Sequence, residues 1–414
     1  MKIGAFSKRN NITIDTIRHY MELGLILPEK KGGQYHFDNR CQQDINDILS
    51  FKNMGFTLNE IKTIFKYRKL GKFSSYQKDE YYRNLFTSKL KTLNEDLKTL
   101  NQYKNNIELK LKEWKIADQE DQAHSLGIDL KTLDVLNCQH CSNQLDLTQG
   151  NVVNGQIISG KLTCPCGKTY TIDSGIFIDP TQTINDHNEQ EYNRFLSEYI
   201  QLTDSSYIDN LNIGIEWGYK KLTSADLKGK ILLELGTGLG FFLRNIYTDL
   251  PDDCLYIAVD HNIYRLRFVK ELLERSKLSK RVLFICSDFL NIPIRNKVVD
   301  FLLDFTGTSN YSFEHKEFLL NYTDKYVKDN SSLYGGYILF KHFNVNSLIQ
   351  EEYRSNFILE NIKASISQLN YQLKSEQQSD YIEKGGKYEN YFVEGEKVYL
   401  YYYYGVRSLS DGLD

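Results

Sequence analysis

The sequence contains no apolar run long enough to span a membrane, and residues 1–6 lack the apolar core of a signal peptide. Cysteine is also scarce, because seven cysteines in 414 residues are too few for a disulfide framework. We therefore expect a cytoplasmic protein with no membrane partner. In a reducing compartment, cysteines that lie close together in sequence suggest a metal site before a disulfide.

The chain is long enough for two or three domains, and its charge is unevenly distributed. The formal net charge is only −3, but residues 1–75 hold 13 Lys and Arg against 7 Asp and Glu, a balance of +6 that leaves −9 for the remainder. A basic segment at one end of an otherwise acidic chain is a candidate nucleic-acid contact.

The first 72 residues contain several short motifs in a fixed order. Apolar residues at helical spacing predict two short helices separated by Asn10 and Asn11, which is helix-turn-helix spacing. The motifs that follow are Thr16-Ile-Arg-His-Tyr20, Glu22-Leu-Gly-Leu-Ile26, a Gly32-Gly33 turn, Tyr35-His36-Phe37 and Met54-Gly-Phe-Thr-Leu58. In this order they resemble the DNA-binding domain of the MerR family of transcriptional regulators. The resemblance implies a winged helix-turn-helix over residues 1–72 that binds a promoter operator in double-stranded DNA, followed by an effector-sensing domain.

A helix that enters the major groove needs small or polar residues on its outer face, with cationic or aromatic side chains nearby to anchor phosphates. The side chains that fit this role on the second helix and on the wing are Thr16, Arg18, His19, Tyr20, Lys30, Lys31 and Tyr35. Tyr20 is explained equally well as a core aromatic. Contacts to individual bases are not assigned by this pattern.

Residues 76–117 carry an apolar heptad seam of about four repeats, long enough to pair two helices. One interpretation is a helix packed on its own domain. We favour a coiled coil that forms a homodimer, because a helix-turn-helix usually reads a palindrome as a pair. The MerR resemblance implies that this coiled coil is antiparallel. The seam residues are Phe86, Leu90, Leu93, Leu97, Leu100, Ile107, Leu111 and Trp114, with Lys104 at one core position.

A compact cysteine module is expected over residues 133–180, after a polar linker at residues 118–122. Cys138-x-x-Cys141 is followed by Cys164-x-Cys166, and two close pairs of thiolates suit a structural, tetrahedral zinc ion. His140 is an alternative ligand. The segments Leu162-Thr-Cys-Pro-Cys-Gly and Tyr170-Thr-Ile-Asp-Ser-Gly-Ile176 resemble the zinc-ribbon-like segment that precedes some bacterial methyltransferases, including certain ribosomal RNA guanine methyltransferases.

Residues 185–414 alternate between apolar runs and amphipathic segments, which predicts a doubly wound, Rossmann-like α/β domain with a parallel sheet. The helical lead-in carries Tyr192, Phe195, Tyr199 and Trp217 as candidate lid or core aromatics. Five buried strands are expected at residues 231–235, 255–259, 282–286, 298–304 and 337–340, with a last, aromatic strand at 397–405.

The first of these strands runs into the glycine turn Gly236-x-Gly238-x-Gly240, whose spacing differs from the dinucleotide-binding pattern. With acidic residues at the ends of the strands, this order resembles the class I S-adenosylmethionine-dependent methyltransferases. The resemblance implies that S-adenosylmethionine is the cofactor. Its methionine and ribose would lie against Glu234 and the three glycines, its ribose hydroxyls would bind Asp260, and its adenine would meet Asp288 and Phe289. Each carboxylate could instead only cap a helix.

Methyl transfer needs a nucleophile held in line and, for weak nucleophiles, a base. Asp304, Tyr311 and His342 are candidate substrate contacts, although each is also explained by a structural role. The Asn-Pro-Pro-Tyr signature of adenine amino methyltransferases is absent.

Together these patterns suggest a MerR-like regulator whose C-terminal domain binds S-adenosylmethionine, methylates a small molecule and couples occupancy to promoter binding. One alternative is a methyltransferase fold that only senses an effector. Another is an RNA methyltransferase, against which the acidic C-terminal half argues.

Overall fold

The computed structural model describes residues 1–117, 125–182 and 190–407. The chain divides into two compact units, Met1–Asp121 and Gln122–Asp414. The expected linker at residues 118–122 and the start of the last domain at residues 185–189 lie outside the described residues. No helix in the described parts of the chain is both long and apolar enough to cross a membrane.

The N-terminal unit is helical with one small hairpin, as expected for a winged helix-turn-helix. Thr13 starts the second helix by accepting a hydrogen bond from the Thr16 amide, and Thr57 and Glu60 form a reciprocal capping box on the fourth. The elements are α1 (Ile3–Asn10), α2 (Ile14–Glu22), β1 (Glu29–Lys31), β2 (Gln34–His36), α3 (Asn39–Asn53), α4 (Leu58–Leu70) and α5 (Glu80–Ala117).

The helix α5 is 38 residues long, and its apolar seam divides into two parts. Phe86, at its start, packs against the rings of Phe51 and Phe56 and so belongs to the core of the N-terminal unit. From Leu90 to Trp114 the seam residues are all exposed on the single chain. An exposed apolar stripe at heptad spacing is typical of a helix that pairs with another helix.

The C-terminal unit is an α/β structure built on one large sheet. Its helices are α6 (Gln190–Leu202), α7 (Ser205–Thr223), α8 (Phe241–Ile246), α9 (Ile263–Glu274), α10 (Gly307–Ser312), α11 (Leu320–Thr323) and α12 (Leu359–Gln368). Its strands are β3 (Ile128–Asp129), β4 (Asp146–Val153), β5 (Gln156–Thr163), β6 (Thr169–Asp173), β7 (Ile176–Ile178), β8 (Ile231–Leu235), β9 (Leu255–Asp260), β10 (Arg281–Cys286), β11 (Val299–Phe305), β12 (Val327–Phe340), β13 (Tyr371–Gln378) and β14 (Val398–Arg407).

The strand order confirms the expected doubly wound fold. Within the described residues the sheet runs β13-β14-β12-β11-β8-β9-β10-β7-β6-β5-β3, and β4 pairs with β5. The central strands β12, β11, β8, β9 and β10 are parallel, while β14 is antiparallel to both of its neighbours. Alternate residues of β8 enter different core clusters, with Leu232 in one and Leu233 and Leu235 in the other.

Two features of this sheet differ from the expectation. The fifth parallel strand begins at Val327 rather than at residue 337. The prediction began too late because the first residues of this strand are mostly polar, and a search for apolar runs does not detect them. The cysteine module also does not stand apart from the sheet. Its strand β7 pairs in parallel with β10, and β6 and β5 continue the same sheet outward.

Helix α7 packs closely on the sheet through two glycines. A Cβ atom at Gly214 would lie 2.2 Å from the Tyr402 ring, and one at Gly218 would lie 2.4 Å from the Tyr334 ring. The Tyr334 hydroxyl donates a hydrogen bond to the Gly214 carbonyl at 2.7 Å. The Gly-x-x-x-Gly spacing therefore allows tyrosine rings to fill the layer between helix and sheet.

Candidate functional site

The candidate site is a cavity of about 960 Å³ in the C-terminal unit. It lies where strands β8, β9, β10 and β11 end, which is the position at which doubly wound sheets bind ligands. Six of the seven residues expected to bind the cofactor line it: Glu234, Gly236, Gly238, Asp260, Asp288 and Phe289. Distant parts of the sequence are thus brought to one place by the order of the strands.

The turn after β8 is held against the neighbouring strand by its own backbone. The amides of Gly236 and Thr237 both donate to the carbonyl of Val259 at 3.0 Å. Gly236 and Gly238 have φ values of 72° and 55°, in the left-handed region that glycine favours. A Cβ atom at Gly238 would meet only the Gly236 carbonyl oxygen, at 3.8 Å, so the backbone of this turn is open to a ligand.

Glu234, the fourth residue of β8, lines the cavity while remaining 2% exposed. Burial raises the pKa of its carboxyl to about 8, an effect that the nearby hydroxyls of Thr237 and Tyr256 only partly offset. Its Oε2 has no hydrogen-bond partner among the described residues. A buried carboxyl oxygen without a donor is costly, and a cationic ligand group would satisfy it.

Asp260 is the last residue of β9 and is also almost fully buried. Its Oδ2 accepts from the Gly238 amide and its Oδ1 from the Asn262 amide, both at 2.9 Å. Arg265 lies 3.9 Å away on α9. These contacts hold the carboxylate against the glycine turn, and Asp260 lines the cavity.

Asp288 and Phe289 form the next wall of the cavity. Asp288 is exposed and caps a short turn by accepting from the Leu290 amide at 2.9 Å. It therefore both caps a turn and lines the cavity. A Cβ atom at Gly236 would be 3.4 Å from the Phe289 ring, so this ring faces the glycine turn across the site.

Gly240, the seventh expected residue, does not line the cavity. It is the N-cap residue of α8 and has a φ value of 67°. A Cβ atom at this position would lie 2.6 Å from the Val269 side chain on α9. Its role in this structure is close helix packing. The expectation that all three glycines approach the cofactor is corrected in this respect.

Of the three candidate catalytic residues, only Tyr311 lines the cavity. Asp304 is fully buried and accepts from the Thr308 amide at 2.7 Å and the Thr308 hydroxyl at 2.6 Å, and burial raises its pKa to about 6. His342 is exposed, with its Nε2 2.9 Å from the Gly395 carbonyl. Tyr311 stacks on His315, with ring centroids 4.0 Å apart. Asp304 and His342 therefore have structural contacts rather than places in the cavity.

The far end of the cavity is aromatic. Phe195 and Tyr199 of α6 lie beside Phe241 and Tyr388, with neighbouring ring centroids 4.8 to 6.0 Å apart. Of the other lead-in aromatics, Trp217 packs on Tyr334 in the core, and the Tyr192 side chain lies outside the described residues.

The sequence interpretation missed Glu389, which lines this aromatic end and is 3% exposed. Its carboxylate accepts from the Thr203 hydroxyl and the Gly386 amide, both at 3.2 Å. Burial raises its pKa. Glu389 lies in a loop between β13 and β14, and no local motif distinguishes it from a surface glutamate.

The four cysteines of the module form one cluster. Their sulfur atoms all lie within 4.8 Å of one another. The shortest separations are 3.2 Å for Cys141 and Cys164 and 3.3 Å for Cys164 and Cys166. A tetrahedral site with zinc–sulfur bonds of about 2.3 Å separates its sulfur atoms by about 3.8 Å, so this donor set fits a zinc ion. His140 is exposed and is not part of the cluster.

The protonation of the cluster is uneven. Although burial opposes it, hydrogen bonds from the Tyr170 hydroxyl and from backbone amides lower the pKa of Cys138 to about 6. Burial, together with the neighbouring thiols, raises the pKa of Cys164 to about 12. A bound cation would favour the thiolate form of every cysteine in the cluster.

The expected DNA-binding residues divide between surface and core. Arg18, His19, Lys30, Lys31 and Tyr35 are exposed and Thr16 is half-buried, on α2 and on the hairpin β1–β2. Tyr20, in contrast, is 2% exposed within the core of the N-terminal unit. The expectation that Tyr20 contacts DNA is therefore corrected, because α2 turns this ring inward.

Comparison with known proteins supports the assignment of the first unit. The sequence model of the MerR HTH family regulatory proteins matches residues 1–68. A curated relative, an HTH-type transcriptional regulator ZntR homolog of Haemophilus influenzae, is 34% identical over 87 residues. The match covers 20% of this chain and 62% of that protein. The N-terminal residues thus form a MerR-type helix-turn-helix domain.

Solved structures similar to the C-terminal unit include S-adenosylmethionine-dependent methyltransferases. One from Aquifex aeolicus is 17% identical with a TM-score of 0.34, covering 54% of this chain and 100% of that one. The magnesium protoporphyrin IX methyltransferase of Synechocystis, solved with bound S-adenosylhomocysteine, is 11% identical with a TM-score of 0.36, covering 53% and 95%. Scores this low do not establish a common fold, so the fold assignment rests on the strand order described above.

Proposed function

We propose that this protein is a DNA-binding transcriptional regulator whose C-terminal unit binds S-adenosylmethionine and methylates a small molecule. In this proposal, occupancy of the cavity changes the affinity of the N-terminal domain for a promoter operator. The observation that carries it is the convergence of Glu234, the glycine turn, Asp260 and Phe289 on one cavity, in a chain that begins with a MerR-type domain.

The cavity residues fit the chemistry of the cofactor. Glu234 supplies a buried carboxyl oxygen without a donor, which suits the ammonium group of the methionine part. Asp260 supplies two carboxylate oxygens for the ribose hydroxyls, and the Phe289 ring supplies an apolar face for adenine. The open backbone at Gly238 leaves room for the ligand to approach closely.

The sulfonium of the cofactor supplies a methyl group that is already activated. The protein must therefore hold an acceptor in line with this group and exclude water. The rings of Phe195, Tyr199 and Tyr388 suit an aromatic or lipophilic acceptor. At the cavity wall the His315 ring stacks on Tyr311, and this imidazole is the group proposed to accept the proton. Burial raises the pKa of Tyr311, so its hydroxyl stays protonated and is suited to donate a hydrogen bond to the acceptor.

The other partners follow from the same arrangement. The four-cysteine cluster binds a structural zinc ion in a reducing cytoplasm, where thiolates stay free. The exposed seam of α5 pairs with that of a second copy, and the homodimer presents two copies of α2 and of the wing to the two halves of an operator. Lys104 lies at one core position of the seam.

Isothermal titration with S-adenosylhomocysteine tests the cofactor part of the proposal. The wild-type protein should bind one molecule per chain, and Gly238→Arg should not bind, because its side chain would fill the open space above the turn. Operator DNA, selected from random sequence with the purified protein, should then bind with an affinity that S-adenosylhomocysteine changes. Binding by Gly238→Arg that equals that of the wild type would contradict the assignment.

One second function is favoured by a specific observation. Asp304 and His342, two of the three candidate catalytic residues, do not line the cavity and have structural contacts instead. The unit could then bind the cofactor only as an effector. A methyl-transfer assay with tritiated cofactor, run on a panel of aromatic small molecules and on total RNA, separates the sensor from the enzyme and from an RNA methyltransferase.

A further inference from the structure

The cysteine cluster and the cofactor cavity are joined by one side chain. Gln139 lies between the cluster residues Cys138 and Cys141, and its side-chain amide contacts residues outside the cluster. The amide nitrogen donates to the carboxylate of Asp179 and to the backbone carbonyl of Asn291, and it lies 3.3 Å from the Ser287 hydroxyl.

Two of the residues that the Gln139 side chain contacts, Ser287 and Asn291, flank the turn expected to contact adenine. Ser287 directly precedes Asp288 and Phe289, and Asn291 ends the same turn. Ser287 is fully buried and donates to Asp179 at 3.0 Å, while the Asp179 amide donates to the Cys286 carbonyl at 3.0 Å. Gln139 therefore joins a partly buried hydrogen-bond network that includes the residues next to this cavity wall.

Backbone contacts reinforce the connection just before Gln139 in the chain. The Asn137 amide donates to the Pro293 carbonyl at 3.1 Å, and the Arg295 amide donates to the Val135 carbonyl at 2.8 Å. An isolated bridge joins Leu136 to Ile294 between them. The chain just before the first cysteine pair is thus paired with the chain just after the adenine turn.

A metal ion would restrain Gln139 from both sides, because Cys138 and Cys141 flank it. The Tyr170 hydroxyl adds a third restraint, since it donates to the Cys138 sulfur at 3.5 Å and accepts from the backbone amide of Gln139 at 3.1 Å. Without a metal, the two cysteine pairs lose their shared ligand bonds and keep the thiol contacts and the Tyr170 hydrogen bonds, so the loop carrying Gln139 gains conformational freedom. Asp179 and the Asn291 carbonyl would then lose a fixed donor.

We propose that Gln139 is a positioning residue through which metal bound at the four cysteines orders the turn at residues 287–291, so that the cavity binds the adenosine part of its ligand tightly only when the metal is present. The ordering of the turn follows from the contacts above. The effect on ligand affinity rests in addition on the proposed cofactor function.

The first experiment needs no cofactor. Hydrogen–deuterium exchange of residues 287–294 is compared between the zinc-loaded wild type, the metal-stripped wild type, Gln139→Ala and the control Gln149→Ala, whose exposed side chain lies elsewhere in the module. Metal removal and Gln139→Ala should each speed exchange of this segment about tenfold, and Gln149→Ala should not. Unchanged exchange in Gln139→Ala with zinc retained would overturn the proposal.

The second experiment measures affinity by isothermal titration with S-adenosylhomocysteine and with adenosine. Gln139→Ala should keep one zinc per chain yet bind both probes about tenfold more weakly. Metal removal should weaken the wild type similarly but add little in Gln139→Ala, because the connecting side chain is already missing. Full affinity in metal-stripped wild type would refute the coupling. Faster exchange in a protein that binds neither probe would instead refute the proposed cofactor function.

Discussion

Glu234 offers the sharpest test of the cavity, because stability and binding should respond to its replacement in opposite directions. Its carboxyl is fully enclosed, with a pKa raised by burial from the ordinary 4.5 to about 8. Between these values the folded state holds a proton that the unfolded state has lost. Stability is therefore full below about pH 4.5 and falls as the pH rises toward 8. At pH 7, about 2.5 pH units above the lower value, the loss is about 3 kcal/mol at 1.36 kcal/mol per unit.

Glu234→Gln keeps the shape of the side chain and removes the ionisation. The free energy of unfolding of the ligand-free protein should therefore rise by roughly 4 kcal/mol at pH 8 and by less than about 1 kcal/mol near pH 5. Urea unfolding at the two pH values measures this difference. An ordinary buried hydrogen-bonded carboxylate would show the opposite result, a loss of stability on replacement.

Binding of S-adenosylhomocysteine, which carries the same ammonium group as the cofactor, should weaken by about 10- to 100-fold in Glu234→Gln, the range for a charge-assisted hydrogen bond. In the wild type, binding should release a proton below pH 8, because the bound cation favours the ionised carboxyl. Isothermal titration in buffers of different ionisation enthalpy counts this proton, and the variant should release none.

Glu396→Gln is a matched control. Glu396 is fully buried, accepts from the Asn344 and Val393 amides, and does not line the cavity. Its replacement should reduce stability and leave the affinity for S-adenosylhomocysteine unchanged. The reasoning about Glu234 is refuted if Glu234→Gln is less stable than the wild type at pH 8 and binds the ligand equally well.

Three further predictions concern other parts of the chain. Gly240→Ala should lower the free energy of unfolding by about 1–3 kcal/mol, because its Cβ would overlap Val269 at a positive φ; thermal unfolding measures the loss, and Gly240→Ala with Val269→Ala should recover part of it. Lys104→Leu should lower the dissociation constant of the dimer and Leu97→Glu should raise it, since both residues lie on the exposed seam of α5. Sedimentation equilibrium measures this constant, and equal values for the wild type and both variants would exclude this interface. Arg18→Ala should weaken operator binding and, if Arg18 neutralises one phosphate, reduce the magnitude of the slope of log affinity against log salt concentration by about 1. An unchanged slope would show that Arg18 does not contact a phosphate.

The strands of the parallel sheet were predictable because they are short, continuous apolar runs. The expected strand at residues 231–235 coincides with β8. Strands β9 and β10 differ from expectation by one residue at one end, and β11 differs by one residue at each end. The first half of β12 was not predicted, because the polar residues Lys328, Asp329 and Asn330 at its exposed end interrupt the apolar pattern. The pairing of β7 with β10 joins segments more than 100 residues apart, and neither segment carries a local sign of its partner.

The cofactor side of the site was predictable for a related reason. Strand ends and glycine turns have local signatures, and parallel strands bring their carboxyl ends together, so Glu234, Asp260 and Asp288 could be grouped from the sequence. The acceptor side depends on which loop folds over which strand. Glu389 and Tyr199 are placed by such contacts and have no motif of their own, whereas Asp304 had a suggestive position and was turned into the core.

A chain that joins a DNA-binding domain to a ligand cavity acts as a switch only under a definite thermodynamic condition. The ligand must have different affinities for the DNA-bound and the free protein, because a ligand that binds both equally shifts nothing. By linkage, operator DNA must then change the affinity for the ligand by the same factor as the ligand changes the affinity for DNA. Titration of S-adenosylhomocysteine with and without saturating operator therefore measures the coupling without any knowledge of the methyl acceptor. A factor of one would mean that binding and any methyl transfer proceed independently of the DNA-binding domain, and that the effector is the acceptor or another molecule.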